Sequence, residues 1–172
     1  MSNERQEKKD QFTETGKKGG FGKVVGIVVA LLIVAGAAGF ALLNKGPSDG
    51  YAAAKGHDNE IRIELADVSD GQAHYFKLDT DQGEIKFFVV KSVDGIMRAA
   101  FDACDVCYKS KKGYRQEGDE MVCNNCNMKF RTDMVNEVKG GCNPAPLNRR
   151  IEGQQLVINK QDIISGAWYF GG

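Results

Sequence analysis

The sequence predicts a mainly β protein of the α+β type, in which a single N-terminal transmembrane helix precedes a small β-rich domain with a cysteine-ribbon metal site. Three observations lead to this prediction. An uncharged apolar stretch lies near the N-terminus, apolar and charged residues alternate from about residue 60, and two Cys-x-x-Cys pairs lie in the second half. A chain of 172 residues has room for one folded domain beside the apolar stretch.

The apolar stretch, residues 24–43, contains neither charge nor proline. At about 1.5 Å per residue, a helix of this length covers the roughly 30 Å hydrocarbon layer of a bilayer. A cleaved signal peptide is the alternative, but such signals usually have a shorter apolar run and a shorter preceding region. Six lysines and arginines precede the stretch and only two lie in residues 44–59. The positive-inside rule therefore predicts a cytoplasmic N-terminus and an extracytoplasmic main domain in the cell membrane.

These features divide the chain into four segments. Residues 1–23 are polar and of mixed charge, which predicts a disordered cytoplasmic tail. The transmembrane helix covers 24–43, and the Gly, Pro, Ser and Asp of 44–59 are typical of a linker. The extracytoplasmic metal or iron-sulfur domain is expected to cover 60–172.

Strands are predicted in order along this domain. Three strands joined by short polar turns are predicted at residues 60–65, 73–80 and 84–92. This order predicts an antiparallel meander. Residues 94–104 fit either a short helix or a strand. A further strand is expected at 156–158, followed by a terminal apolar segment that closes the core.

The stretch "CDVCYKSKKGYRQEGDEMVCNNC" carries four of the five cysteines of the chain. Two residues between cysteines form a tight turn that directs both sulfurs to one point, and two such turns supply four thiolates to a tetrahedral metal site. Residues 114–116 and 121–123 can pair as a hairpin that brings the second pair to the first. The predicted metal ligands are Cys104, Cys107, Cys123 and Cys126.

The spacing leaves the metal open, because four thiolates suit zinc, a single iron, an iron-sulfur cluster or Cu(I). Two disulfides are a structural alternative in an oxidising compartment. A thiol-disulfide oxidoreductase is a further alternative, although neither pair lies between a clear strand and an amphipathic helix.

The remaining cysteine, Cys142, lies in "GGCNPAP", where glycines and prolines indicate an ordered loop. It is either a free, partly buried thiol or a fifth sulfur of the site, acting as an alternative ligand or as a resolving thiol. His57 is expected to be a solvated linker residue and His74 a satisfied edge group at the start of a strand, with metal ligation as the less favoured interpretation for either.

Charge and motifs exclude several classes of function. The 23 basic and 23 acidic residues leave no nucleic-acid footprint, and no nucleotide-binding loop or paired-carboxylate motif is present. A local basic run is either a solvated hairpin face or a docking site for an acidic electron-transfer partner. It consists of Lys109, Lys111, Lys112 and Arg115.

The segments "AFDACDVCYKSKKGYRQEGDEMVCNNCNMKF" and "NEVKGGCNPAPL" resemble the FtrD-like membrane iron-sulfur domain family over about residues 60 to 170. The resemblance marks all five cysteines, Cys142 included, as binding residues for the cofactor. It implies an iron-sulfur cluster or other metal, a membrane setting, and a link to bacterial iron uptake through an iron permease or its redox partner.

The expected function is therefore electron transfer or metal handling at the membrane, by a carrier or binding protein rather than an enzyme. A structural zinc ribbon that serves as an interaction or assembly module is the first alternative. A thiol-disulfide oxidoreductase that uses Cys142 is the second. Neither the oligomeric state nor the identity of the metal follows from the sequence.

Overall fold

The computed structural model describes residues 49–56 and 58–171. The predicted tail, the predicted transmembrane helix and His57 lie outside these residues. Within the described part, no helix combines the length and apolar character needed to cross a membrane.

The prediction of a small, mainly β domain is confirmed, since the described residues form three sheets and one α-helix. The strands are β1 (Ala52–Ala53), β2 (Glu60–Glu64), β3 (His74–Thr80), β4 (Gly83–Lys91), β5 (Met97–Phe101), β6 (Tyr114–Glu117), β7 (Glu120–Cys123), β8 (Lys129–Arg131), β9 (Arg150–Glu152) and β10 (Gln155–Asn159), and the helix is α1 (Lys160–Ser165). Sheet 1 has the order β1-β3-β4-β5, and sheet 2 has the order β2-β10-β9. The third sheet, here called the ribbon, has the order β6-β7-β8.

Strand β4 lies between two hydrophobic cores. Ile85, Phe87 and Val89 pack in the core that sheet 1 shares with sheet 2, while Phe88 and Val90 face the core beneath the ribbon. Successive side chains of a strand point to opposite faces, so a strand buried on both faces has a continuous apolar sequence. The uninterrupted run "FFVV" therefore places sheet 1 between the other two sheets.

The predicted meander is wrong in one respect. Strands β3, β4 and β5 do form consecutive antiparallel pairs, but β2 belongs to sheet 2 and pairs with β10, from Glu60 opposite Asn159 to Glu64 opposite Gln155. The alternation of 60–65 specifies a strand with one buried face. It does not specify which strand pairs with this one. The partner of β2 is β10, from the far end of the chain, whose apolar face is the better match.

The ambiguous segment 94–104 forms strand β5 rather than a helix. The predicted hairpin is confirmed: β6 and β7 pair from Tyr114 opposite Cys123 to Glu117 opposite Glu120. The two-residue connection begins with Gly118, whose φ of 59° is the positive value that such a turn requires at its first position.

The C-terminal segment closes the core that sheet 1 shares with sheet 2, as the sequence predicts. Helix α1 begins after Asn159, whose side chain accepts a hydrogen bond from the amide of Gln161, and it buries Ile163. Tyr169 follows in a short 3₁₀ helix and packs in the same core. At the opposite end of the described chain, β1 joins sheet 1, where it runs parallel to β3, and the hydroxyl of Tyr51 donates to the carboxylate of Asp102.

Candidate metal centre

The first cysteine pair follows directly from strand β5. Cys104 is buried, and its Sγ accepts a hydrogen bond of 3.2 Å from the amide of Cys107. The amide of Tyr108 closes the turn by donating to the carbonyl oxygen of Cys104 at 3.2 Å. Because sheet 1 fixes the end of β5, it also fixes the position of the first sulfur.

The second pair begins at Cys123, the last residue of β7, and repeats this turn. The amide of Asn127 donates to the carbonyl oxygen of Cys123 at 2.9 Å, and Asn127 adopts a left-handed φ of 58°. The backbone amides of Asn125 and Cys126 act in the direction of a lower pKa at the Cys123 sulfur. In both turns, therefore, backbone N–H groups face the first sulfur and stabilise its thiolate form.

Local surroundings act in opposite directions on the two thiols of this pair. Burial raises the pKa of Cys123 to about 11, against the effect of the amides. The amide of Met128 lowers the pKa of Cys126, which is exposed. Metal binding favours the thiolate, so a bound cation would offset the burial of Cys123.

Cys142 reaches the same place by a different route. The amide of Phe101 donates to the carbonyl oxygen of Ala145 at 2.8 Å, so the segment after Cys142 runs along β5. The hydroxyl of Tyr114 donates to the carbonyl oxygen of Cys142 at 2.6 Å. These contacts place the sulfur of Cys142 3.7 Å from that of Cys107, and burial raises the pKa of Cys142.

The five sulfur atoms thus gather at one end of the domain. They form two groups that share Cys107, and within each group the ligand atoms lie within 4.8 Å of one another. None of the five cysteines forms a disulfide bond. Soft thiolate donors directed at a common volume fit a metal ion or an iron-sulfur cluster. The groups are Cys104, Cys107 and Cys142, and Cys107, Cys123 and Cys126.

His74 lies away from this cluster. It begins β3 and its Nε2 is 2.8 Å from a carboxylate oxygen of Asp70, as expected for a satisfied group at a strand start, although β3 lies between β1 and β4 rather than at an edge of sheet 1. In the part of the chain that the structure describes, the groups able to hold a metal contain cysteine alone.

Several supporting residues were not identified from the sequence. The side-chain amide of Asn125 donates to the sulfur of Cys107 at 3.4 Å. Asp102 is buried and accepts hydrogen bonds from the amide of Tyr114 and the hydroxyl of Tyr51. Burial raises the pKa of Asp102. Asn125 lies inside a Cys-x-x-Cys turn, which is a usable signal, whereas the contact between Tyr51 and Asp102 is too distant in sequence to leave one.

A cavity of about 250 Å³ adjoins the cluster. Cys104, Cys107 and Cys123 contribute to one wall, and Tyr108 and Tyr169 contribute aromatic surface. The two tyrosine rings contact each other edge to face at 6.0 Å. The cluster is therefore accessible both through this cavity and through exposed Cys126.

Fold and site together define a small, mainly β domain with a cysteine cluster able to hold a metal. The chain belongs to the FtrD-like family, described as membrane iron-sulfur containing protein FtrD-like, which matches residues 68–170. The resemblance noted in the sequence is thereby confirmed.

Other comparisons add little to this assignment. No curated protein matches the chain. Among solved structures, the crystal structure of the quaternary ammonium Rieske monooxygenase CntA in complex with an inhibitor is similar over 61% of this chain and 32% of that chain, with 14% identity and a TM-score of 0.41. The chain thus spans about a third of the length of that enzyme.

Proposed function

We propose that this protein is a membrane-anchored electron carrier or metal-handling protein whose thiolate centre serves bacterial iron transport. The observation that carries the proposal is the gathering of all five cysteine sulfurs in two groups that share Cys107. The description of the family supports a membrane setting and an iron-sulfur centre. In this proposal residues 24–43 anchor the domain of residues 60–172 outside the cytoplasm.

The cysteines hold the centre, and the neighbouring amides tune it. A thiolate-bound iron or iron-sulfur centre supplies reversible one-electron exchange when it is bound. The hydrogen bond from the amide of Cys107 stabilises negative charge on the sulfur of Cys104, and the amide of Met128 lowers the pKa of Cys126. Such bonds favour the reduced state, because reduction adds negative charge.

The surface around Cys126 suits contact with a redox partner. Val106 and Met128, in or directly after the two turns, are 63% and 53% exposed. Apolar groups beside an exposed ligand allow a partner to approach the centre without trapping charged side chains. Electrons would therefore leave or enter through the Cys126 side of the cluster.

The basic run adds positive charge beside the cluster, because Lys111 and Lys112 line the same cavity as Cys104 and Cys107. Lys109, Lys111 and Lys112 are exposed, and none of them forms an ion pair with any residue that the structure describes. Arg115, by contrast, pairs with Glu117. Unpaired lysines attract an acidic partner over roughly 10 Å at moderate ionic strength, and we assign that role to the permease or to a redox protein associated with it.

The proposal is tested on the full chain, purified in detergent without air. We expect iron by elemental analysis, a visible absorption spectrum, and bleaching of that spectrum on addition of dithionite. The matched control replaces Cys104, Cys107, Cys123 and Cys126 with serine, which should remove the metal and the colour together. A variant that retains both would contradict the assigned site.

The same preparation separates the alternatives. Colourless protein with stoichiometric zinc would identify a structural zinc ribbon. The two similar Cys-x-x-Cys turns, in which backbone N–H groups face a cysteine sulfur, favour this interpretation. Metal-free protein that forms and breaks a disulfide reversibly would identify a thiol oxidoreductase, since Cys107 and Cys142 already lie in contact.

A further inference from the structure

The two sulfur groups do not match a single four-thiolate site. No four cysteine, histidine or carboxylate side chains of the described residues bring their ligand atoms within 4.8 Å of one another, although two groups of three do so. The two Cys-x-x-Cys pairs therefore do not close around one point by themselves. Cys142 completes one group, and Cys107 belongs to both.

The separation of Cys107 and Cys142 is informative. With metal–sulfur bonds of about 2.3 Å, two thiolates on one tetrahedral ion lie about 3.8 Å apart. The sulfurs of Cys107 and Cys142 are 3.7 Å apart. They thus have the spacing of two ligands on the same ion, although only Cys107 belongs to a Cys-x-x-Cys pair.

We propose that the centre has two metal positions that share the thiolate of Cys107. One position is held by Cys104, Cys107 and Cys142, and the other by Cys107, Cys123 and Cys126. The inference rests on the proposed metal-binding function and specifies its ligand sets. Each position would offer three protein sulfurs to a metal ion or to the iron of an iron-sulfur centre.

The surroundings of the sulfurs support the shared role of Cys107. The amide of Cys107 donates to the sulfur of Cys104 at 3.2 Å, which suits a thiolate bound to one ion. The sulfur of Cys107 instead lies 3.4 Å from the side-chain amide of Asn125 and 3.7 Å from the sulfur of Cys142. Its remaining lone pairs are available to two ions.

Charge compensation points in the same direction. As metal ligands the five cysteines would all be thiolates, and two of them, Cys104 and Cys123, are buried. One divalent cation would offset two of these charges, whereas two divalent cations would offset four. Buried charge that is not compensated is costly, so the cluster is better satisfied by two ions than by one.

The test uses Co²⁺ as the probe, because its thiolate complexes absorb strongly in the near ultraviolet and visible range. Full-length protein in detergent is stripped of metal, reduced without air and titrated. We expect the charge-transfer absorption to increase until two Co²⁺ are bound per chain, one for each sulfur group. Cys142→Ser should bind one Co²⁺ tightly, and Cys107→Ser should weaken both sites. Met134→Ala, at a side chain that is 42% exposed and belongs to neither sulfur group, should leave the stoichiometry at two.

A single Co²⁺ in the unaltered protein, with Cys142→Ser indistinguishable from it, would overturn the two-metal inference and leave the metal-binding function intact. Absence of any thiolate–cobalt absorption would instead count against the function itself. A second measurement does not depend on variants. Alkylation of the loaded protein, read by mass spectrometry, should leave all five cysteines protected, whereas modification of Cys142 alone would show a four-sulfur site.

Discussion

Asp102 and Gly113 show how one close contact shapes the loop beside the cysteines. The carboxylate of Asp102 is buried and accepts the amide of Tyr114 at 2.7 Å. Gly113 passes directly over that carboxylate with a φ of 62°. A side chain at position 113 would meet the carboxylate as well as the unfavourable backbone conformation.

We therefore expect Gly113→Ala to lower the free energy of unfolding by about 2 to 4 kcal/mol, combining left-handed strain with overlap. Gly118→Ala is the matched control, because Gly118 has a φ of 59° but open space around it. The control should lower the free energy of unfolding by the backbone strain alone, about 1 to 2 kcal/mol. Urea unfolding of both variants gives the comparison, and equal losses would contradict the role of the contact.

A second residue-scale prediction concerns Asp94. The hydroxyl of Ser92 and the guanidinium of Arg98 hold the pKa of Asp94 at about 2, below its ordinary value near 3.8. A lowered pKa contributes stability that is present above the ordinary value and is lost as the pH falls towards 2. Asp94→Asn should thus be less stable than the unaltered protein above about pH 4, and the difference should narrow between pH 4 and pH 2.

Thermal unfolding at a series of pH values from 2 to 6 measures this difference. Asp81→Asn, at an exposed position of the β3–β4 turn, serves as the control. The comparison removes the effect of metal loss at low pH, since all three proteins share it. A difference in thermal stability between Asp94→Asn and the unaltered protein that stays constant over this pH range would contradict the lowered pKa of Asp94.

At the scale of elements, the ribbon is positioned by the second face of β4. Met121 of β7 is fully buried and belongs to the core formed with Phe88 and Val90. The same core contains Cys104 and Cys123, so packing beneath the ribbon also fixes one sulfur from each pair. Val135, in the segment that leads towards Cys142, belongs to the same core, and Cys142 packs against it.

That segment is attached to sheet 1 by Arg98. The guanidinium of Arg98 is buried in β5 and donates to the carbonyl oxygen of Val135 at 2.7 Å. It also pairs with Glu137 at 2.7 Å. Removing one partner of such a buried group leaves the others unsatisfied, so this arginine fixes the path of the chain between β8 and Cys142.

Met121→Ala tests the packing of the ribbon. Deleting a buried methionine side chain should cost about 2 to 5 kcal/mol and leave a cavity under β7. Met128→Ala removes the same atoms from a side chain that is 53% exposed, and the cost should stay within about 0.5 kcal/mol. Urea unfolding of the two variants is the measurement, and similar values would contradict a ribbon packed on β4.

At the scale of the whole molecule, all five cysteines follow the predicted span, so their accessibility reports the side of the membrane. In intact cells depleted of metal, a membrane-impermeant thiol reagent should label exposed Cys126 if the domain lies outside. A Ser2→Cys substitution places a thiol in the predicted cytoplasmic tail and should be labelled only after lysis. The reverse pattern would place the domain in the cytoplasm.

Local sequence information was sufficient for much of this architecture. The hairpin of β6 and β7 follows from two short β segments around a glycine turn, and the buried strand β4 follows from its apolar run. The two Cys-x-x-Cys turns follow from spacing, because their hydrogen bonds join residues three or four positions apart. The sequence also determined the family, since its motif cysteines lie in two short segments.

Only the tertiary structure decided which distant segments meet. Strand β2 pairs with β10 although the sequence suggested a neighbour in the next strand, and Cys142 reaches Cys107 because the chain after it runs along β5. Alternation and spacing specify faces and turns, which are local properties. Pairing and the division of five sulfurs into two groups depend on how two cores pack on the faces of one sheet, and that packing involves residues from the whole domain.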